Sequence, residues 1–144
     1  MADVKTPEKI VYTAKVTSTG GRKQGHAVSD DGILDIDLAP PKEMGGNGDK
    51  TNPEQLFAAG FATCFTGALG LVGQKQGVDT SAAKVTAEVG FGPEGESFGL
   101  TVALTVELPG VEAGKVQELA DAAHQVCPYS KATRGNIPVT VTAG

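Results

Sequence analysis

The sequence predicts an α+β fold whose strands pair mostly in the antiparallel direction. Two observations support this prediction. Stretches of alternating apolar and polar residues, which are typical of strands, occur in groups before and after an apolar helical stretch instead of singly between helices. The chain has 144 residues and no internal repeat. A chain of this length is about one domain, so we expect a single domain over residues 1–144.

The first elements are predicted to be strands. Residues 9–18 and 33–38 contain enough alternating or branched apolar side chains to form them. The remainder of residues 30–49 is rich in Pro, Gly and Asp, which favours a loop. The strands therefore come before the first helix.

A long helix is predicted next, because residues 56–72 are almost wholly apolar. Its start is well marked. Asn52 can cap the helix, Pro53 suits the first helical position and Glu54 complements the helix dipole. We expect the helix to end at one of two glycines, Gly73 or Gly77.

This helix is apolar on every side, so every side must be covered. A membrane span is one way to do so, but Ala, Gly and Thr dominate the run and no Lys/Arg cluster or Trp flanks it. We therefore expect no membrane association. A sheet wrapped around the helix, or a second subunit, would supply the cover, and we predict an obligate homodimer.

The second half of the chain is predicted to add two strands, a helix and a last strand. Residues 85–91 and 100–108 alternate apolar with polar residues, and we expect the apolar face of the second of these strands to lie on the core. Apolar residues recur at helical spacing over 116–126. Residues 137–141 alternate again, and Pro138 within them suggests the edge of a sheet.

Charge and termini exclude some classes of function. The chain has 17 acidic and 12 basic residues and a net charge of −5, with no run of Lys or Arg, so we expect no nucleic-acid partner. The first seven residues lack the pattern of a secretory signal, which predicts a cytoplasmic protein. In that compartment cysteines are more often catalytic, redox-active or simply buried than permanently bridged.

The two cysteines are the most informative residues. Cys64 lies within the apolar run and is predicted to be buried, where a thiol is often no more than a small packed side chain. Cys127 precedes Pro128, which suits the first turn of a new helix. The amino end of a helix favours a thiolate, so we expect Cys127 to be presented to solvent.

Arg22 and Glu54 are candidates for activating Cys64. Arg22 follows two glycines in a flexible loop, and an arginine near a thiol favours the thiolate. A carboxylate such as Glu54 can hold the guanidinium through two parallel hydrogen bonds. In a straight helix Glu54 lies about 15 Å from Cys64. It must therefore act through Arg22, or through a bend for which Gly60 is a candidate.

The chain resembles the organic hydroperoxide resistance proteins, the Ohr branch of the Ohr/OsmC family. The resemblance is most specific in segments 20–22, 52–65 and 127–137, and it covers essentially the whole chain. It implies an intertwined homodimer in which antiparallel sheets wrap two central helices, with both active sites at the subunit interface. It also implies a cysteine-based peroxidase that reduces organic hydroperoxides, such as lipid or alkyl hydroperoxides, to alcohols.

The same resemblance implies the roles of four residues. Cys64 matches the peroxidatic cysteine, which would become a sulfenic acid. Cys127 matches the resolving cysteine, which would form a Cys64–Cys127 disulfide, and Arg22 with Glu54 matches the activating pair. No bound cofactor is implied, because a lipoylated protein or dihydrolipoamide would supply an external dithiol.

Two other interpretations remain open from the residues. A Cys-His hydrolase would use Cys64 with His26 or His124 as its base. A non-catalytic binding dimer would only pack its thiols. A structural zinc site is not expected, since it needs four ligands and the chain has only two Cys and two His, far apart in the sequence.

Overall fold

The computed structural model of the chain describes residues 4–144. These residues divide into two compact units at the boundary between Asn52 and Pro53. The prediction that there is no secretory signal was made from the first seven residues. Residues 1–3 of that segment lie outside the described residues. The prediction of a single domain over 1–144 stays a prediction, and each unit is described by itself.

The first unit is a three-stranded antiparallel sheet. Its strands are β1 (Val16–Thr19), β2 (Gly25–Ser29) and β3 (Asp35–Leu38), in the order β1-β2-β3. A short 3-10 helix, Lys42–Met44, follows within the region predicted as loop. Strand β2 was not predicted, because its five residues, Gly25 to Ser29, carry no clear alternation of apolar and polar side chains.

The prediction of a strand over residues 9–18 is wrong for most of its length. Strand β1 begins only at Val16, which pairs with Ser29 at the end of β2. Within residues 4–144, no strand pairs with the residues that precede Val16. An apolar segment without a pairing strand is not stabilised in an extended conformation. Ile10, Val11 and Tyr12 are accordingly 64, 88 and 77% exposed.

The second unit contains the helices and the longer sheet. Helix α1 (Pro53–Gln76) is followed by β4 (Lys84–Glu94), β5 (Ser97–Glu107), α2 (Ala113–Val126), α3 (Pro128–Thr133) and β6 (Val139–Ala143). Strands β4 and β5 form an antiparallel pair, and β6 lies at the edge, parallel to β5. The α+β class, the mostly antiparallel pairing and the edge position of the strand with Pro138 are confirmed.

The core of the second unit lies between the sheet and helices α1 and α2. The apolar face of β5 is buried as predicted, with Leu104 and Val106 fully inaccessible. Phe61 and Phe65 of α1 and Leu119 of α2 pack into the same cluster. Burial of each such side chain stabilises the fold by about 1.5–3 kcal/mol.

Helix α1 has the length and apolar composition of a membrane-spanning helix, with a mean hydropathy of 1.7 over its most apolar window. The core helices of many globular proteins share that composition. Helix α1 packs against β4 and α2, and its buried residues belong to the core cluster, as those of a core helix do. The helix ends at Gln76, and Gly77 follows with a φ of 70°, which identifies the second of the two predicted ends.

Candidate functional site

The structure brings the two cysteines of the second unit together. Cys64, on α1, and Cys127, between α2 and α3, have their sulfur atoms 3.6 Å apart, and both are free thiols. A disulfide bond is about 2.05 Å long. The two sulfurs are therefore in van der Waals contact and need a movement of only about 1.5 Å to become bonded.

The exposure predicted for Cys127 is wrong, and Cys64 is the more accessible of the two cysteines. Cys127 is fully buried and belongs to the core cluster, whereas Cys64 is half-buried at its margin. Helix α3 packs on both α1 and α2, so its amino end faces inward. Helix α1 is apolar on all sides, so its sequence does not indicate which of its faces the rest of the fold covers.

Cys127 caps the amino end of α3, and Pro128 occupies the first turn, as predicted. Burial raises the pKa of Cys64. The Tyr129 backbone N–H donates a hydrogen bond to the Cys64 sulfur and acts in the opposite direction, and the neighbouring Cys127 thiol raises the pKa further. A cation close to Cys64 would favour the thiolate.

An aromatic cluster lies beside the thiols. The Tyr129 ring packs against Phe61 and Phe57, with ring centroids 5.6 and 6.2 Å away. Gly60 makes this possible, because a Cβ atom there would lie 2.7 Å from the Tyr129 hydroxyl. Helix α1 runs continuously through Gly60, so this glycine admits the tyrosine instead of serving as the predicted bend.

Arg22 and Glu54 lie in different units. Arg22 is in the turn between β1 and β2, where Gly20 has a φ of 80° and a Cβ would collide with the Gln24 carbonyl. Glu54 lies in the first turn of α1, as predicted. On that continuous helix it is about 15 Å from Cys64 along the axis. Glu54 can thus influence Cys64 only through another group, and its pairing with Arg22 stays a prediction.

Each histidine has hydrogen-bond partners of its own, and the Cys-His hydrolase stays an alternative interpretation. The two ring nitrogens of His26 contact Asp37 and Asp35 at 2.7 and 2.8 Å. His124 directs Nδ1 to the Ser130 hydroxyl, at 2.8 Å. Among residues 4–144, no group of three or more His, Cys, Asp or Glu is suited to hold a metal ion.

Two contacts of the site were not predicted. One is the Tyr129 N–H donated to Cys64, and the other is the hydrogen bond between His124 and Ser130. The sequence does carry a signal for the second contact. His124 and Ser130 lie three positions before and three after Cys127, at helical spacing on either side of it.

The chain is similar to known proteins over most of its length. The family model described as OsmC-like protein matches residues 46–142. The chain is 50% identical over 139 residues to the organic hydroperoxide resistance protein of Xanthomonas axonopodis pv. citri (strain 306), covering 95% of this chain and 97% of that protein. It is 47% identical over 133 residues to the organic hydroperoxide resistance protein OhrB of Bacillus subtilis (strain 168), covering 90% and 95%.

A solved structure is also similar over most of its length. The crystal structure of an organic hydroperoxide resistance protein from Elizabethkingia anophelis, with thiocyanate bound, superposes with a TM-score of 0.88. It is 49% identical in sequence, and the match covers 94% of this chain and 98% of that chain.

Proposed function

Since this chain belongs to the OsmC-like family, as its two cysteine segments predicted, we propose that it is a cysteine-based peroxidase that reduces organic hydroperoxides to alcohols. Relatives about half identical over nearly the whole chain carry the name organic hydroperoxide resistance protein, which supports a redox role in resistance to these compounds. The observation that carries the proposal is the 3.6 Å contact between the sulfurs of Cys64 and Cys127.

In the first step, the Cys64 thiolate attacks the terminal oxygen of the hydroperoxide. The O–O bond breaks, a Cys64 sulfenic acid forms and the alkoxide takes up a proton to leave as an alcohol. The half-buried position of Cys64 lets a substrate reach it. Arg22, held by Glu54, would favour the thiolate and stabilise the charge that develops on the leaving oxygen.

In the second step, the Cys127 sulfur attacks the Cys64 sulfenic acid. The new S–S bond forms, the S–O bond breaks and water leaves, so the nucleophile is protected from further oxidation. An external dithiol of the dihydrolipoyl type, free or on a lipoylated protein, would then reduce the disulfide by exchange. No bound cofactor takes part in this cycle.

The surroundings of the thiols favour a hydroperoxide with an apolar tail. Phe57, Phe61 and Tyr129 form a cluster of aromatic rings beside Cys64. Phe61 is fully buried, so a bound alkyl or lipid chain would contact Phe57 and Tyr129. Such contact stabilises the chain by roughly 25 cal/mol for each Å² of apolar surface that it removes from water. Hydrogen peroxide has no apolar group and gains nothing from this surface.

Steady-state assays test the proposed function. The reduced protein is given a fatty-acid hydroperoxide, an alkyl hydroperoxide or hydrogen peroxide, each with dihydrolipoamide, thioredoxin or glutathione as the reductant. We expect the highest kcat/KM with an organic hydroperoxide and dihydrolipoamide, together with a Cys64–Cys127 disulfide in the oxidised protein. Ester hydrolysis would support the hydrolase instead, and unreactive thiols would support a binding protein.

Arg22→Ala should move the formation of the Cys64 thiolate to higher pH. Burial already raises the pKa of Cys64. In the proposed site Arg22 opposes this effect, so the loss of its charge should raise the pKa further. The thiolate exists above the pKa, so at neutral pH the variant holds less of it. Its rate of peroxide reduction should fall on the order of a hundredfold and recover as the pH rises.

Ultraviolet titration of the thiolate measures this shift directly. Lys23→Ala is the matched control, because Lys23 is an exposed cation in the same turn. It should titrate like the unmodified protein. Coincident titration curves for Arg22→Ala and the unmodified protein would show that Arg22 does not favour the Cys64 thiolate.

We also propose that the protein works as a cytoplasmic homodimer, without a nucleic-acid or membrane partner. Large apolar side chains are exposed in both units, among them Ile10, Val11 and Ile33 in the first and Leu71 and Phe98 in the second. Exposed apolar surface of this extent is typical of an interface. A second copy of the chain would remove it from water.

Dilution should therefore remove structure and peroxidase activity together, because no stable folded monomer is expected. Sedimentation velocity and circular dichroism over a range of protein concentrations measure both. A compact and fully active monomer at low concentration would disprove the obligate dimer.

A further inference from the structure

Cys127 lies at the break between two helices. Helix α2 ends at Val126 and α3 begins at Pro128, so Cys127 alone connects them, with an extended backbone at φ −66° and ψ 124°. Its N–H donates to the Ala123 carbonyl and its carbonyl accepts from the Lys131 N–H. The direction of α3 relative to α2 thus depends on the conformation of a single residue.

A side-chain hydrogen bond spans this break. The His124 Nδ1 atom, in the last turn of α2, lies 2.8 Å from the Ser130 hydroxyl in α3. Ser130 is fully buried, and in such a site a hydroxyl needs its partner. The bond fixes the first turn of α3 to the last turn of α2, on either side of Cys127.

A second contact spans the same break. The Arg134 guanidinium, just after α3, donates a hydrogen bond to the His124 carbonyl. The last carbonyl groups of a helix lack partners within the helix, and this contact supplies one. His124 is therefore held to α3 through both its ring and its backbone. We call the His124–Ser130 and Arg134–His124 contacts together the clasp.

The surroundings of His124 favour the neutral form of its ring. Burial lowers the pKa of His124, the Arg134 charge lowers it further, and Asp121 acts weakly in the opposite direction. A neutral imidazole can either donate to or accept from a hydroxyl. An asparagine amide can do the same, and its side chain reaches about as far as Nδ1.

Resting on the proposed function, we propose that His124 and Ser130 are positioning residues for the second step of the cycle, because their hydrogen bond holds Cys127 against Cys64. In that step the Cys127 thiol and the Cys64 sulfenic acid give a disulfide and one molecule of water. The sulfurs start 3.6 Å apart and must meet in line with the breaking S–O bond. A misplacement of about 1 Å can slow such a reaction up to a hundredfold.

The first step depends less on the clasp, because the bonds that change are those of Cys64 and the hydroperoxide, and α3 contributes to it only through Tyr129, whose N–H favours the Cys64 thiolate. Loss of the clasp should therefore slow disulfide formation more than it slows peroxide reduction. This separation distinguishes positioning from general loss of stability, which would affect both steps.

Four variants in the full-length protein test the proposal. His124→Leu and Ser130→Ala each remove one partner of the hydrogen bond, the double variant removes both, and His124→Asn keeps a hydrogen-bonding group. Ser130→Ala removes a single buried oxygen and adds no atom, so this variant still tests the proposal if His124→Leu does not fold.

Each reduced variant receives one equivalent of cumene hydroperoxide in a quenched-flow experiment. Dimedone trapping and mass spectrometry then measure the lifetime of the Cys64 sulfenic acid and the rate of disulfide formation.

Gln117→Leu is the matched control. Gln117 also lies on α2, but its amide bonds join α2 to β6, through the Val141 carbonyl and the Ala143 N–H. The control should lower the melting temperature as the test variants do, and it should leave the sulfenic acid lifetime unchanged.

We expect His124→Leu and Ser130→Ala each to lengthen the sulfenic acid lifetime about tenfold. The double variant should be no slower than either single variant, because both remove the same bond. His124→Asn should restore most of the rate.

Unchanged lifetimes in both single variants would overturn the positioning role and leave the proposed function intact. An additive double variant, or an equally slow Gln117→Leu control, would also overturn it, since the effect would then be general destabilisation. If the unmodified protein forms neither sulfenic acid nor disulfide, the proposed function fails, and the positioning role fails with it.

Discussion

Cys64→Ser is expected to abolish peroxide reduction. The attacking group in the proposed cycle is a thiolate, and a serine hydroxyl stays protonated at neutral pH and is a far weaker nucleophile. Loss of a catalytic nucleophile lowers kcat by on the order of a thousandfold or more. The fold should persist, because Cys64 is half-buried and serine differs from it by one atom.

Peroxide consumption with dihydrolipoamide as the reductant measures this effect. Thr63→Ser is a suitable control, since Thr63 is an exposed neighbour on α1 and should keep full activity. Turnover retained in Cys64→Ser would show that another residue is the nucleophile and would contradict the proposed cycle.

Cys127→Ser is expected to permit one fast turnover and to slow those that follow. The first step uses Cys64 alone, whereas the second requires a thiol next to it, and a serine at position 127 cannot form a disulfide. One equivalent of alcohol should therefore appear rapidly, and Cys64 should remain as a sulfenic acid. Steady-state turnover with a dithiol should fall by at least about tenfold, because the slower direct reduction of the sulfenic acid must replace resolution.

Mass spectrometry distinguishes the two oxidised forms. Oxidation of the unmodified protein should remove two hydrogen atoms as the disulfide forms, whereas Cys127→Ser should gain one oxygen atom on Cys64. The absence of that oxygen adduct, with turnover unchanged, would show that the two cysteines do not divide the roles in this way.

The sequence predicted most of the second unit, because its signals are local. The alternation over residues 100–108 identifies both strand β5 and its buried face. Asn52, Pro53 and Glu54 mark the start of α1 within a residue. The failure is in the first unit, over residues 9–18, where apolar residues suggested a strand. Whether such a segment becomes a strand depends on a pairing partner, which local composition does not reveal.

The site was predictable in its chemistry and not in its packing. The segments around Cys64 and Cys127 identified the family, and Pro128 located the start of α3. The exposure predicted for Cys127 was wrong, because exposure depends on how α3 packs against α1 and α2. Gly60 likewise resembled a helix bend, and only the position of Tyr129 explains it.

The burial of Cys127 has a consequence for the regiochemistry of reduction. A disulfide between the two cysteines presents two sulfurs, but only Cys64 is accessible from solvent. An incoming dithiol must therefore attack the Cys64 sulfur and expel Cys127 as the leaving group. The transient mixed disulfide would join the reductant to the same residue that met the hydroperoxide. Oxidising and reducing substrates would thus take turns at one entrance, and each would exclude the other while bound.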